Sequence, residues 1–393
     1  MNVNKIREDF PILWKDKPVI YFDSACMSLK PKQVVEKLCE YYYEYPACGR
    51  RSNHRLSEKA SEECDNARII IRKFINARSE KEIIFTRNTT EGINLISRSL
   101  DYDVVITTDK EHNSNNVPWL NLRCKREIIN TKDGFDIEGF KKTLAKYKGS
   151  KILVSMVHSS NLDGSTMPIK DIIKIAHDNK AIVFLDGAQS VPHMPIDVKK
   201  LDIDLLAFSG HKMLGPTGTG VLYGKSDILA KLRPYNVGGD TVKDTFYDHF
   251  EFEDIPEKFE AGLQDYAGII GFGEAAKYLQ KYIPDIEDHQ IKLNKIITEG
   301  LSSYVKILGP QDPGLRSGIV SFIPNNSMPY HEVSLFLSNM HNIMIRSGRH
   351  CVHSWFNANN IDGSARASLY LYNTEEEARL FVDKTKEILS MKK

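Results

Sequence analysis

The chain has 393 residues, of which 41% are hydrophobic and 27% charged, which is the balance of a globular protein long enough for two domains. Its 53 basic and 52 acidic residues give a formal net charge of +1, so no overall positive field attracts nucleic acid or an anionic membrane surface. We therefore expect small-molecule chemistry and no nucleic-acid partner.

The cysteines and the first residues bear on the compartment in which the chain works. The six cysteines are Cys26, Cys39, Cys48, Cys64, Cys124 and Cys351. They form no Cys-x-x-Cys pair and have no regular spacing, which argues against a zinc site or a disulfide framework. Residues 1–10 lack the apolar core of a signal peptide, and no apolar run approaches membrane-spanning length. We expect a cytoplasmic protein with reduced thiols, no metal and no membrane contact.

The first hundred residues alternate between helical and extended patterns. In chain order they predict a short helix or arm at 4–14, a strand at 19–23, helices at 31–45 and 57–76, a strand at 83–86 and a helix at 92–100. Asn88 and Glu91 have the spacing of a capping box at the start of that last helix. A strand, a polar turn and an exposed helix N-terminus therefore follow one another here.

The middle of the chain continues the alternation. Strands are predicted at 103–107, 152–157, 181–186, 203–208 and 219–223, with helices near 114–122, 136–148 and 169–179. Strands that alternate with helices predict βαβ units and a mostly parallel sheet. The runs 181–186 and 203–208 are largely apolar, as expected of strands buried on both faces.

The last third of the chain has a different pattern. Residues 240–258 are acidic, aromatic and poorly periodic, which predicts a loop near the site. Beyond them we expect a helical region at 265–302, strands at 305–308, 318–323 and 342–347, and helices at 330–340 and 374–391. The sequence thus predicts an arm at 1–20 packing with the small domain, a large domain at 21–281 and a small α+β domain at 282–393.

Two residues suggest the chemistry of the large domain. Asp186 and Lys212 follow neighbouring predicted strands, and open α/β sheets bind ligands at the carboxyl ends of their strands. Pyridoxal phosphate needs an acid facing its ring nitrogen and a lysine that forms an imine. Taken alone, Asp186 is equally a helix cap and Lys212 an ordinary loop lysine. The setting of Lys212, after a buried strand and before a glycine-rich loop, favours the functional interpretation.

Other polar residues fit the remaining parts of that cofactor. The candidates for its phosphate are Thr89, Thr90, Ser209 and His211, since hydroxyls and backbone N–H groups at a helix N-terminus bind anions. Gln189 can bond the ring hydroxyl, and His112 can stack on the ring. Helix capping alone would explain Thr89, and a lone histidine after a strand is commonly structural. The functional interpretation of Thr89 and of His112 therefore depends on the other candidate residues being present as well.

The small domain contributes a thiol and a guanidinium. Cys351 follows Arg346, Arg349 and His350, and basic surroundings of this kind favour a reactive thiolate. The alternative for any cysteine is a small buried hydrophobe. Arg366 lies in an apolar run that predicts a strand, so it needs an anionic partner, either a substrate carboxylate or a structural acid.

Taken together, these segments resemble the class V, fold-type I pyridoxal phosphate enzymes, and specifically the SufS-type (group II) cysteine desulfurase and selenocysteine lyase group. The resemblance runs from residue 21 to residue 374. Its matching segments are 89–94, 111–115, 117–119, 160–161, 186–189, 209–212 with 215–216, 259–262, and 346–348 leading to 350–351. The fold that it implies has a large, mostly parallel, seven-stranded-type sheet domain and a smaller α+β C-terminal domain.

The resemblance also implies a role for each candidate residue. Lys212 would carry the cofactor, His112 would stack on it, and Asp186 and Gln189 would tune it. Thr89, Thr90, Ser209 and His211 would serve the phosphate, Asn161, Arg346 and Arg366 would bind the substrate, and Cys351 would form a persulfide. L-cysteine would become L-alanine, the sulfur would pass to an acceptor protein or an iron–sulfur scaffold, and a homodimer would complete each site.

Three departures from the group's pattern leave other reactions open. Arg349 replaces a histidine, Asp163 replaces an apolar residue and adds negative charge near Asn161, and Leu263 replaces a threonine that reaches the phosphate of the other subunit. The alternatives are selenocysteine lyase, β-elimination or transamination on another amino acid, or a non-catalytic scaffold in sulfur transfer.

Overall fold

The computed structural model of the protein describes residues 1–326 and 328–391. Its helices are α1 (Val3–Arg7), α2 (Lys32–Glu44), α3 (Arg55–Phe74), α4 (Thr89–Ser99), α5 (Val117–Asn121), α6 (Ile137–Lys146), α7 (Ile169–Asp178), α8 (Ser226–Lys231), α9 (Tyr266–Leu279), α10 (Ile283–Leu301), α11 (Tyr330–His341), α12 (His353–Ala358) and α13 (Glu375–Ser390). None of the described helices is both long and apolar enough to cross a bilayer.

The strands, in chain order, are β1 (Ile20–Tyr21), β2 (Ile83–Thr86), β3 (Val104–Thr108), β4 (Lys125–Ile129), β5 (Ile152–Val157), β6 (Ile182–Asp186), β7 (Leu205–Ser209), β8 (Gly220–Gly224), β9 (Val242–Thr245), β10 (Phe250–Phe252), β11 (Val305–Ile307), β12 (Ile319–Pro324), β13 (Ile343–Met344), β14 (Arg346–Gly348) and β15 (Ser364–Ser368). Seven of them form the large sheet, in the order β2-β8-β7-β6-β5-β3-β4. β8 is antiparallel to both neighbours and the other pairs are parallel. The predicted mostly parallel sheet is confirmed.

Alternate residues of the central strands enter two different hydrophobic clusters. In β6, Val183 and Leu185 belong to one cluster and Phe184 to the other. Because successive side chains of a strand point to opposite faces, the two clusters cover the two faces of the sheet. Because both faces of the sheet are buried, the sequences of the central strands are continuous apolar runs. It also leaves the strand ends as the place where polar side chains of the sheet can gather.

The small sheet is antiparallel, in the order β11-β12-β15-β14. Its core includes Val320, Phe322 and Phe381, so β12 and α13 pack together there. α10 joins the two cores, since Ile286 packs with the large one and Leu293 with the small one. The arm also contacts both parts of the molecule. Ile6, Phe10 and Leu13 pack in the large core, whereas β1 pairs with β13.

Several elements of the structure differ from the prediction. The edge strand β4 was not predicted, because its charged start, Lys125 to Glu127, hides the extended pattern. The helical region 265–302 is two helices, and Pro284 lies in the first turn of the second. The predicted strand 342–347 is two short strands in different sheets. Residues 240–258, predicted as a loop, contain the exposed hairpin β9–β10.

Candidate active site

The carboxyl ends of β2, β3, β5, β6 and β7 meet at one edge of the large sheet, and β14 and β15 of the small sheet face that edge. A cavity of about 250 Å³ lies between them. All twelve predicted site residues line it, namely Thr89, Thr90, His112, Asn161, Asp186, Gln189, Ser209, His211, Lys212, Arg346, Cys351 and Arg366. The chain folds so that residues more than 250 positions apart share one small space.

Asp186 and Lys212 lie buried in the cavity wall and affect each other's charge. Burial raises the pKa of Asp186, while the nearby Lys212 and the backbone N–H of Ala188, which donates to Oδ1 at 2.9 Å, oppose the rise. Burial lowers the pKa of Lys212, and Asp186 opposes that change. Desolvation penalises an ammonium ion, so this lysine is shifted toward the neutral amine that a nucleophile needs.

Hydroxyl groups cluster at the N-terminus of α4. The backbone N–H of Thr89 donates to Ser209 Oγ at 2.8 Å, and the hydroxyls of these two residues lie 2.7 Å apart. The Thr90 and Ser114 hydroxyls lie 2.7 Å apart as well. α4 has 11 residues, and the positive end of its helix dipole lies at this hydroxyl cluster, so an anion fits here. The neighbouring His211 stays neutral, because burial lowers its pKa to about 4.

The predicted capping box at this helix is half present. Asn88 Oδ1 accepts a hydrogen bond from the backbone N–H of Glu91 at 3.0 Å, as predicted. The Glu91 carboxylate accepts instead from the backbone N–H of Arg87, one residue before the cap. The reciprocal bond to Asn88 is therefore replaced, and Asn88 lines the cavity.

Gln189 and His112 present a buried acceptor and a neutral ring to the cavity. Gln189 Nε2 donates to the carbonyl of Ala25 at 2.7 Å, whereas its Oε1 is buried with no hydrogen-bond partner among the described residues. A buried acceptor without a partner indicates that a ligand supplies the donor. The backbone N–H of Ser114 donates to His112 Nδ1 at 3.1 Å. Burial and the charge of Lys212 lower the pKa of His112 to about 3, so its ring is neutral.

Arg366 is the most deeply buried of the cavity's guanidinium groups. It is 2% exposed, donates from Nη1 to the carbonyl of Asn161 at 2.9 Å, and pairs from Nη2 with Asp23 at 3.3 Å. Its Nε is buried without a partner among the described residues. Asp23 is therefore the structural acid that the sequence left open as a partner of Arg366. A donor is still left for an anionic ligand.

Arg346 and Asn161 connect the two domains at the cavity. Arg346 is paired with Arg366 across β14 and β15, and its Nη1 donates to the Cys26 thiol at 2.8 Å. Asn161 Nδ2 donates to the carbonyl of His350 at 2.7 Å, which ties the loop after β5 to the cysteine loop. Both side chains are thus fixed by contacts that cross from one domain to the other.

Cys351 lies on a strained turn between β14 and α12. His350 and Cys351 have φ values of 49° and 58°, a left-handed conformation that costs non-glycine residues free energy. Several hydrogen bonds hold the turn, including the one from Asn161 Nδ2 to the His350 carbonyl. Asn113 N donates to the Cys351 carbonyl at 2.7 Å, and His350 Nε2 bonds the Ser364 hydroxyl at 2.8 Å. The turn places the half-buried Cys351 in the cavity wall.

Comparisons with known proteins agree with this geometry. Residues 20–381 match the family model described as aminotransferase class-V. The chain belongs to the class-V aminotransferase family. It is 39% identical over 397 residues to a probable cysteine desulfurase of Synechocystis sp., with 96% of this chain and 93% of that protein covered. A cysteine desulfurase of Haloferax volcanii is 36% identical, with 98% of this chain and 96% of that protein covered.

Solved structures show the same relationship. The apo structure of the cysteine desulfurase from Thermococcus onnurineus superposes with a TM-score of 0.93 at 37% identity, and 99% of this chain and 98% of that chain are covered. The predicted fold, a fold-type I transferase with a large and a small domain, is thereby confirmed. The predicted resemblance to class V enzymes is confirmed as well.

The cavity of this class-V protein fits pyridoxal phosphate, the cofactor that its family implies. Its charged lining residues are Lys212, Arg346, Arg366 and Asp186, so cations exceed acids, as a phosphate and a carboxylate require. The unpartnered acceptor of Gln189 and the buried Asp186 suit a polar aromatic ring. The hydroxyl cluster at α4 suits the phosphate.

None of the three departures lines the cavity. Asp163 pairs with Lys110 at 2.7 Å, both are buried, and Asp163 does not line the cavity. The negative charge that Asp163 adds near Asn161 is therefore compensated by Lys110. Arg349 turns outward, where it donates to the Asp362 carbonyl at 3.0 Å and to Asn357 at 2.9 Å. Leu263 is 70% exposed and lies outside this chain's cavity.

The sequence did not identify every residue that lines the cavity. Cys26, Ser114 and His350 also line it, and Asp23 supports Arg366. Cys26 is brought in because Asp23 bridges Ser368 at the end of β15, a contact between residues far apart in sequence. The available signal was the small-residue turn that directly follows a strand. The hairpin at 240–258, expected near the site, contributes no residue to this chain's cavity.

Proposed function

We propose that this protein is a pyridoxal-phosphate-dependent cysteine desulfurase of the group II type, which converts L-cysteine to L-alanine and retains the sulfur as a persulfide on Cys351. The observation that carries the proposal is the presence of Lys212, Cys351 and Arg366 in one cavity of about 250 Å³. An amine, a thiol and a buried guanidinium are the groups needed to take up an amino acid and remove its sulfur. The curated relatives are named for this activity.

In this proposal the large domain would hold the cofactor. Lys212 would bind it covalently, Asp186 and Gln189 would face its ring nitrogen and hydroxyl, and the neutral ring of His112 would lie against it. Thr89, Thr90, Ser209 and His211 would bind the phosphate at the N-terminus of α4. When bound, pyridoxal phosphate acts as an electron sink for charge that develops on the amino acid.

The small domain would hold the substrate. The unpartnered Nε of Arg366 is a buried donor for the carboxylate of the amino acid, and Asn161 lies beside it. Asp23 keeps the guanidinium charged and oriented until this ligand binds. Arg346 adds a second positive charge opposite Arg366. Substrate binding would therefore connect the two domains through charge-assisted hydrogen bonds.

The chain's own groups then supply the proton and the nucleophile. Lys212, whose pKa is lowered by burial, can take the proton from the Cα of the substrate as a neutral amine. The Cys351 sulfur attacks the sulfur of the substrate, a sulfur–sulfur bond forms, and the substrate's carbon–sulfur bond breaks. The product carbon is reprotonated and leaves as alanine. The strained turn keeps Cys351 at the cavity wall for this attack.

The test is to mix the purified protein with L-cysteine and to measure alanine, persulfide and the visible absorbance of bound pyridoxal phosphate together. We expect alanine and protein persulfide at first, and continued alanine formation only when a thiol acceptor is added, because the persulfide occupies Cys351. Sulfur would pass to an acceptor protein or an iron–sulfur scaffold that reaches this loop from outside.

The same assay separates the alternatives. Alanine from selenocysteine but not from cysteine would show a selenocysteine lyase, and pyruvate or a keto acid would show β-elimination or transamination. No visible absorbance and no product would show a non-catalytic scaffold.

We also place the reaction in the cytoplasm, a reducing compartment that suits the chain's six free cysteines.

We further propose that the protein is a homodimer. The hairpin β9–β10 and its turn expose Phe246, Tyr247, Phe250 and Phe252, and Leu263 is also exposed. A group of exposed aromatic side chains on a protruding hairpin is typical of a protein–protein interface. A second copy of the chain is the partner that the family resemblance implies.

The paired substitution of Phe246→Asp and Phe250→Asp is expected to shift the protein toward monomer. Burying two carboxylates in an apolar contact costs several kcal/mol, so the dissociation constant should rise by roughly 10²-fold or more. Sedimentation equilibrium measures this shift. Leu335→Asp is the matched control, because Leu335 is 55% exposed on α11 and away from the hairpin. A wild-type monomer would contradict the proposal.

A further inference from the structure

A second thiol, Cys26, lies in the same cavity as Cys351. It is half-buried in the turn after β1, and both cysteines line the cavity of about 250 Å³. Arg346 Nη1 donates a hydrogen bond to Cys26 Sγ at 2.8 Å. None of the other four cysteines lines the described cavity wall. Two thiols therefore line the wall of one small cavity.

The surroundings of Cys26 are positively charged. Lys212, Arg346 and Arg366 line the same cavity as Cys26. The buried Nε of Arg366, 2% exposed, has no partner among the described residues and is available to an anion. Thiols in a partly exposed, electropositive environment are the ones that react as nucleophiles.

The hydrogen bond from Arg346 gives Cys26 a fixed position relative to the loop of Cys351. Arg346 begins β14, and the turn with Cys351 follows that strand directly. On the other side, Ala25 N donates to Ser368 Oγ at 3.0 Å, which fixes the turn of Cys26 to the end of β15. The two thiols are thus held by neighbouring strands of one sheet, and not by independent loops.

We propose that Cys26 is an internal sulfur acceptor that takes the outer sulfur of the Cys351 persulfide. The proposal rests on the proposed function, which supplies that persulfide. In the transfer step the Cys26 sulfur attacks the outer sulfur of the persulfide and forms a new sulfur–sulfur bond. The bond between that sulfur and Cys351 Sγ breaks, Cys351 leaves as a thiolate, and the proton lost by Cys26 neutralises it. No oxidant or reductant is consumed.

The transfer changes the amount of alanine that each chain can form without an added acceptor. Once its sulfur has moved to Cys26, Cys351 is a free thiol again and can attack a second L-cysteine before any outside acceptor arrives. The holoenzyme without an added thiol acceptor should therefore form about two equivalents of alanine per chain, with a persulfide on each of the two cysteines. A site with a single acceptor would stop after about one equivalent.

The experiment measures alanine per chain in the absence of added thiols, followed by alkylation and peptide mass mapping of the persulfides. We expect about two equivalents for the wild type, about one for Cys26→Ser, and a persulfide on the Cys26 peptide only when Cys351 is intact. Cys39→Ser is the matched control, since Cys39 is also half-buried but lies on α2 outside the cavity. It should keep two equivalents. Cys26→Ala, which removes the side-chain acceptor altogether, should match Cys26→Ser.

Two outcomes overturn the inference without touching the proposed function. One is about one equivalent of alanine in the wild type with the persulfide on Cys351 alone. The other is a Cys26–Cys351 disulfide with released hydrogen sulfide, which would show attack on the inner sulfur. If the wild type forms no alanine from L-cysteine, the proposed function fails, and the inference that rests on it fails with it.

Discussion

Replacing Lys212 with alanine is expected to abolish the visible absorbance of bound pyridoxal phosphate and to lower alanine formation by roughly 10³-fold or more. Among the described residues that line the cavity, Lys212 is the one primary amine, and burial lowers its pKa toward the neutral form. Alanine removes both the group that binds the cofactor covalently and the base that moves the substrate proton. Absorbance spectra and an alanine assay on the same preparation measure the two losses.

Lys30 provides the control for this substitution. It lies close by, since its Nζ donates to the carbonyl of His211 at 3.1 Å, and burial lowers its pKa to about 8. It does not line the cavity. Lys30→Met is expected to keep the absorbance, so a loss confined to Lys212→Ala cannot come from removing any buried lysine near the site. Persistence of the absorbance in Lys212→Ala would show that another amine carries the cofactor.

The polar residues at the strand ends could be predicted from the sequence because they depend on local order. β6 is apolar until Asp186, and β7 is apolar until Ser209, so the carboxyl ends of two neighbouring strands are recognisable in the sequence. In a parallel sheet such ends meet at one edge whatever the details of packing. Local sequence order is therefore enough to bring the polar residues between positions 86 and 212 to a single site.

The contacts made by long-range folding could not be predicted in the same way. The pairing of Asp163 with Lys110 joins two loops, and the sequence near Asn161 shows only the acid. Cys26 enters the cavity because its turn is attached to β15, more than 300 residues away. The left-handed turn at Cys351 likewise depends on hydrogen bonds with Asn113 and Ser364. Such contacts are properties of the assembled domains.

The balance of charges in the cavity also depends on contacts between residues that are far apart in sequence. Arg346 and Arg366 come from adjacent strands of the small sheet and face Lys212 of the large domain. Asp23 compensates Arg366, and Asp186 compensates Lys212, but Arg346 has the Cys26 thiol as its contact. The local excess of positive charge therefore lies beside the two thiols.

Replacing Cys351 with serine is expected to lower alanine formation from L-cysteine by roughly 10²-fold or more while the visible absorbance of the cofactor stays unchanged. Serine keeps the size of the side chain, and Asn113 bonds the carbonyl of residue 351, a group that the substitution retains. The strained turn should therefore survive. What is lost is the polarisable sulfur nucleophile, for which a hydroxyl is a poor substitute near neutral pH.

The measurement pairs alanine formation with mass mapping of persulfides, and Cys39→Ser again serves as the control that changes a half-buried thiol outside the cavity. Undiminished alanine with no persulfide on the Cys351→Ser chain would show that Cys351 is not the nucleophile that takes the sulfur, whereas pyruvate in place of alanine would show elimination. Undiminished alanine with a persulfide on Cys26 would instead reverse the order of the two thiols. Loss of alanine and of both persulfides, with the absorbance retained, is the expected result. It would show that the large domain binds the cofactor without Cys351, whereas sulfur capture requires Cys351 of the small domain.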